Sequence, residues 1–148
     1  MSRTEPDNIK AFNYIVLRVL TDLYDKFPEP AELGGLNFVI ETVVSKGAEA
    51  VETKYSHLFP HTMAWLQEEG FIKFEGGPDI HRYRNAVLTL RGLTVLGYVP
   101  QSLGFRRKET LVEQAKRALS TGVSEAISDT MKKLVTEALK LMLQLHGN

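Results

Sequence analysis

From Ile9 to Phe27 the apolar residues Phe12, Ile15, Val16, Val19, Leu20 and Leu23 recur at steps of three and four. That spacing gathers them on one stripe and predicts an amphipathic helix with one buried face, which Asp7 or Asn8 can cap. The run Phe27-Pro-Glu-Pro-Ala-Glu-Leu-Gly-Gly35 breaks it, because proline has no amide hydrogen to donate and paired glycines loosen the backbone. Leu36 to Ser45 is β-branched enough to pass for a strand, but Leu36, Val39, Ile40 and Val43 share a helical face. We read it as a buried helix stopped by Gly47. Ala48 to Ser56 is polar and either extends that helix or links it to the next.

Beyond Pro60, which suits a first helical turn, Met63 and Leu66 point one way and Gly70 is placed to terminate a helix in the left-handed conformation. Phe71 to Glu75 then alternates, with Ile72 and Phe74 on one side and Lys73 and Glu75 on the other, as a half-buried strand does. Turn residues Gly76-Gly77-Pro78-Asp79 follow, and Ile80 to Leu88 returns as an antiparallel partner. Thr89 is placed to cap a helix that begins at Leu90, buries Leu93 and Leu96, and stops at Gly97 and Pro100.

After Pro100-Gln-Ser-Leu-Gly104 and the basic triplet Arg106-Arg107-Lys108, the chain is helical from Glu109 to His146, with Thr121-Gly122 as the break. Ile127, Met131, Leu134, Ala138, Leu141 and Leu145 follow the heptad spacing that keeps a seam toward a partner. We read this seam as a homodimer interface; folding back onto its own domain is the alternative. A membrane-surface role is disfavoured, because Glu125, Asp129 and Glu137 offset Lys132, Lys133 and Lys140. The pattern thus predicts a mainly α chain with a small antiparallel β-hairpin (α+β): a domain over residues 1–100 and a C-terminal helical dimerisation extension over 101–148.

Composition narrows the function classes. Lys+Arg and Asp+Glu both number 18, so no net field draws the molecule to nucleic acid, and attraction to phosphate must come from a local patch. With no Cys, disulfides and thiolate metal sites are excluded. The polar start and the absence of a long apolar run point to a cytoplasmic protein with no membrane partner. No phosphate-binding loop, dinucleotide glycine fingerprint or His-Glu metal helix occurs, and Glu68-Glu69 diverge on a helix by about 100°, so we expect no enzyme and no cofactor.

Two segments together resemble a winged helix-turn-helix domain: Leu66-Gln-Glu-Glu-Gly70-Phe71-Ile72, and Leu88-Thr89-Leu90-Arg91-Gly92 beyond the hairpin. The resemblance covers about a third of the chain and implies a winged-helix core. The helix before Gly70 would be the recognition helix and Gly76 to Arg84 the wing. DNA-binding residues would then be His57, His61, Thr62 and Gln67 on the helix, and Lys73, His81, Arg82 and Arg84 on the wing. Departing from that pattern, no Lys or Arg occurs between Tyr55 and Ile72, so the helix lacks the usual bidentate guanine donor. The expected function is a homodimeric transcription regulator on double-stranded DNA. The alternative is a winged-helix module that binds a protein partner and no nucleic acid.

Each sharp assignment has a plainer rival. Arg82 and Arg84 clamp a phosphate, or they pair with Glu75 or Asp79 on a solvated hairpin. His57 and His61, spaced as i and i+4 with His81 nearby, could ligate a metal, but no carboxylate motif accompanies them and we assign none. Trp65, a candidate partner anchor, is better read as core.

Overall fold

Helix α1, Asp7–Lys26, is wider in its burial than one amphipathic stripe: Asn13, Tyr14, Ile15, Val16, Leu17, Val19, Leu20, Thr21 and Leu23 are all buried. A helix covered on most sides sits inside a fold, not on it. Its start also differs from expectation. Neither Asp7 nor Asn8 caps it; Pro6 is the N-cap, and its carbonyl accepts from the Ile9 and Lys10 amides at 3.1 Å. The computed structural model describes residues 5–34, 57–77, 82–98 and 109–146, with the side chains of the last two excepted. The readings of Leu36–Ser45, Ala48–Ser56, His81 and Arg106-Arg107-Lys108 lie outside the described residues.

After the Phe27-Pro28 cis bond comes strand β1, Ala31–Gly34, inside the run that was expected only to break the helix. Ala31 and Leu33 turn inward and Glu32 outward, the period of two that a half-buried strand requires. The expected hairpin is therefore a three-stranded antiparallel sheet. Its other strands are β2, Ile72–Gly77, and β3, Arg82–Leu88, in the order β1-β3-β2 with β3 central. Between Lys73↔Val87 and Glu75↔Arg84, β3 spends one more residue than β2. It does the same against β1 between Ala31↔Ala86 and Leu33↔Tyr83. The extra residue is a bulge at Asn85, which takes φ 54°, a left-handed conformation that asparagine tolerates better than most residues.

Helix α2, Leu58–Glu68, turns Phe59, Thr62, Met63 and Leu66 inward, and Gly70 at φ +82° releases the chain into β2. Helix α3, Leu90–Leu96, follows β3 directly and is capped by Thr89 as expected, with Val95 and Leu96 buried and Leu93 half-buried. Helix α4, Leu111–Thr121, opens on a reciprocal capping box between Thr110 and Glu113 and stops at left-handed Gly122. Helix α5 runs Ser124–His146. Among the described residues, five helices and three strands make an α+β fold.

Helices α4 and α5 pack on each other, both contact α1 and α3, and they complete the core that α1 organises. Ile127, Met131, Leu134 and Ala138 are 5%, 5%, 0% and 7% exposed, and Leu141 is half-buried against the same core. This corrects the dimer seam. Those side chains are covered by α1, α3 and α4 of their own chain, because a heptad period records that a stripe is buried, not whose surface buries it. Leu145 lies outside the described side chains. No helix among the described residues is long and apolar enough to cross a membrane.

Candidate nucleic-acid interface

The two segments that carry the winged-helix likeness meet in space. The Thr89 amide donates to the Phe71 carbonyl at 3.0 Å, and the Thr89 hydroxyl donates to the Gly70 carbonyl while accepting from the Gly92 amide at 3.1 Å. Arg91 Nη1 donates to the Glu69 carbonyl at 2.7 Å. One joint thereby satisfies the carbonyls of Glu69, Gly70 and Phe71 just past the end of α2 and the Gly92 amide in the first turn of α3, a group that a helix start otherwise leaves unpaired. It fixes α2 against the root of the hairpin.

Packing below the hairpin is aromatic. Tyr83, 1% exposed, meets Phe74 edge-on at 4.9 Å between centroids and Phe59 at 5.7 Å. Its hydroxyl has no hydrogen-bond partner among the described residues, and burial pushes the phenol up from its ordinary range. Trp65 is half-buried, edge-on to Phe12 at 5.0 Å and stacked on Phe71 at 6.0 Å. It holds α2 to α1 and to the start of β2.

On the outward side of the sheet stand Glu32 of β1, Lys73 and Glu75 of β2, and Arg82 and Arg84 of β3, all exposed. Arg82 is committed to Glu32, with Nε at 2.8 Å and Nη2 at 2.6 Å from one carboxylate oxygen. Glu75, directly opposite Arg84 in register, accepts instead from the Asn85 amide at 3.1 Å. Arg84 and Lys73 form no ion pair among the described residues. Among the described residues, three cations against two carboxylates leave this face a net charge of +1, with Arg84 and Lys73 the cations outside an ion pair.

The residues expected on α2 fare differently. His57 and His61 are exposed in and just before its first turn. Thr62 is not available: it is 2% exposed and its hydroxyl donates to the Leu58 carbonyl at 2.8 Å. That corrects its assignment as a DNA contact, and the physical reason is that a threonine hydroxyl can share the carbonyl four residues back in its own helix and so be satisfied without solvent. Gln67 is exposed, but its Oε1 accepts from the Phe74 amide at 3.0 Å, so it braces the hairpin. Glu32 and Asn85 were not expected. Glu32 lies 50 residues from Arg82 in sequence, and only the order of strands brings them together.

Among the described residues no cluster of three His or acidic side chains could hold a metal. No family model, no curated protein and no solved structure matches this chain.

Proposed function

We propose that this chain is a winged-helix protein that binds double-stranded DNA and regulates transcription by occupying it, with the hairpin as its wing. The observation that carries this is the placing of two cations, Arg84 and Lys73, with no ion pair among the described residues, on the outward face of a hairpin that is clamped directly to the end of α2. Strand order β1-β3-β2 with α2 leading into β2 supports the winged-helix likeness. In such an arrangement basic hairpin residues reach phosphates, and the helix start, here His57 and His61, reaches the groove. Because α2 contains no Lys or Arg, contact is led by phosphate at the wing and sequence discrimination is shallow. The protein acts by binding, not catalysis, and a cytoplasmic location belongs to the same proposal.

Titrating salt against affinity for random duplex DNA tests it. Two to three phosphate contacts per subunit give a slope of log affinity on log salt of about −2 to −3. No binding at low salt rejects the proposal.

One observation favours a second function, a module that binds protein and no nucleic acid. The exposed side of α2 carries Ala64, Gln67 and Glu68 with no cation, and Arg82 is already neutralised by Glu32. The same titration separates the two.

A further inference from the structure

Helix α5 carries more apolar surface than its own chain covers. Beside the buried Ile127, Met131, Leu134 and Ala138 runs a second stripe, Val135, Leu139 and Leu143, which are 38%, 53% and 69% exposed. At about 100° per residue the two stripes are adjacent and together span roughly 180° of the helix, well beyond what one packed face requires. Ser128, Met131, Lys132 and Val135 line a groove of about 430 Å³ whose opposite wall is Glu5 and Asn13 of the α1 end. The polar groups there are spent on each other: Glu5 accepts from Ser128 at 2.9 Å and from Asn13 at 3.4 Å.

Those four α5 positions are i, i+3, i+4 and i+7. That is the set of four that makes a hole for one side chain of a facing helix. We propose that a second copy of this chain fills it: α5 pairs antiparallel with α5 of another subunit, and Leu139 of each enters the hole of the other. The centre of the hole lies between Met131 and Lys132, so seating Leu139 there puts the twofold axis at Val135 and Thr136. That is the midpoint of Ser124–His146. The two helices then overlap along their whole length, about 34 Å.

Charge selects the same arrangement. Asp129 and Lys140 lie on one flank of the exposed stripe; Asp129 has no ion pair among the described residues, and Lys140 reaches only Glu137 of its own helix at 3.4 Å. Antiparallel pairing about this axis sets Asp129 against Lys140 of the partner subunit, twice per dimer. A parallel pair, whose twofold runs along the helices, would set this flank against the opposite flank of the partner and leave Asp129 and Lys140 without each other. The exposed stripe and its groove lie beside the core seam and share only Met131 with it, and the proposal does not depend on DNA binding.

Light scattering on the full chain tests it. The expected mass is twice the 16.7 kDa of one chain, and Leu139→Glu with Leu143→Glu should return it to that single value with the circular dichroism and melting curve unchanged, since both side chains are exposed. Asp129→Lys and Lys140→Asp should each weaken the dimer by about tenfold or more, and the two together should recover it. Because the chain has no cysteine, Val135→Cys should form a covalent dimer on oxidation while Ser120→Cys should not. A wild-type chain that stays monomeric at its highest soluble concentration overturns the proposal, as does a dimer indifferent to the double glutamate change. Failure of the paired charge reversal, or of the Val135→Cys bond, overturns the antiparallel register.

Discussion

Gly92 approaches Phe71 so closely that a Cβ on it would stand 2.3 Å from the Phe71 carbonyl oxygen. No side chain relaxes that contact, because the obstacle is backbone that also accepts the Thr89 amide. Gly92→Ala must push α3 away from the root of the hairpin and is expected to lower stability by about 2–4 kcal/mol, whereas Thr89→Ala, which removes the cap and the hydroxyl's bond to the Gly70 carbonyl, should cost about 1–2 kcal/mol. Chemical denaturation of both variants checks the order; a harmless Gly92→Ala would show that the joint is not tight.

Asn85 holds φ 54° in the central strand. Glycine adopts that conformation freely and a β-branched residue resists it. Asn85→Gly should therefore stay within about 0.5 kcal/mol of the parent, and Asn85→Val should lose about 1–2 kcal/mol. Thermal melting of the pair distinguishes backbone strain from loss of the Asn85–Glu75 bond, which both variants remove.

The Tyr83 hydroxyl is buried without a partner among the described residues, and burial raises its pKa. A folded-state value above the unfolded one means the folded chain holds its proton more tightly. The contribution is complete below the unfolded phenol value and is lost as pH rises through the folded one. Stability should fall in the alkaline range above about pH 10. Tyr83→Phe should blunt that fall and, by removing an unpaired buried polar group, raise neutral stability by about 1 kcal/mol. Denaturant midpoints at neutral and alkaline pH measure both.

Arg82 is held by Glu32, so removing the carboxylate should release a cation to the wing. If the hairpin touches phosphate, Glu32→Gln should tighten duplex binding severalfold at low salt and steepen the salt dependence by about one unit, while Lys73→Ala with Arg84→Ala should weaken binding and flatten that slope. Fluorescence anisotropy reads all three. An affinity unmoved by both changes would remove the wing from the interface.

What could be read from sequence was what is local. Gly70, Thr89 and Gly122 announce themselves because left-handed termini and side-chain caps need particular residues at particular offsets. Partners distant along the chain were hidden. Strand β1 has four residues framed by prolines and glycines, and what makes it a strand is pairing with β3 some fifty residues away. Thr62 misled because polarity suggests solvent, whereas its hydroxyl is satisfied one turn back. Periodicity found the buried stripe of α5 but could not distinguish a neighbouring helix of the same chain from one belonging to another subunit. It gave no notice of the second stripe, which declares itself only once the first is seen to be occupied.

The supernumerary residue at Asn85 decides which way the hairpin's charges point. In an uninterrupted strand Arg82 and Arg84 would share a side with Ala86 and Leu88, which are 0% and 3% exposed. One inserted residue shifts the parity. Ala86 and Leu88 stay in the core, Tyr83 joins them, and both arginines turn to water. Deleting Asn85 would thus do more than shorten a strand: it would turn the distal half of the hairpin inside out, sending two guanidinium groups toward the interior and an aromatic ring into solvent.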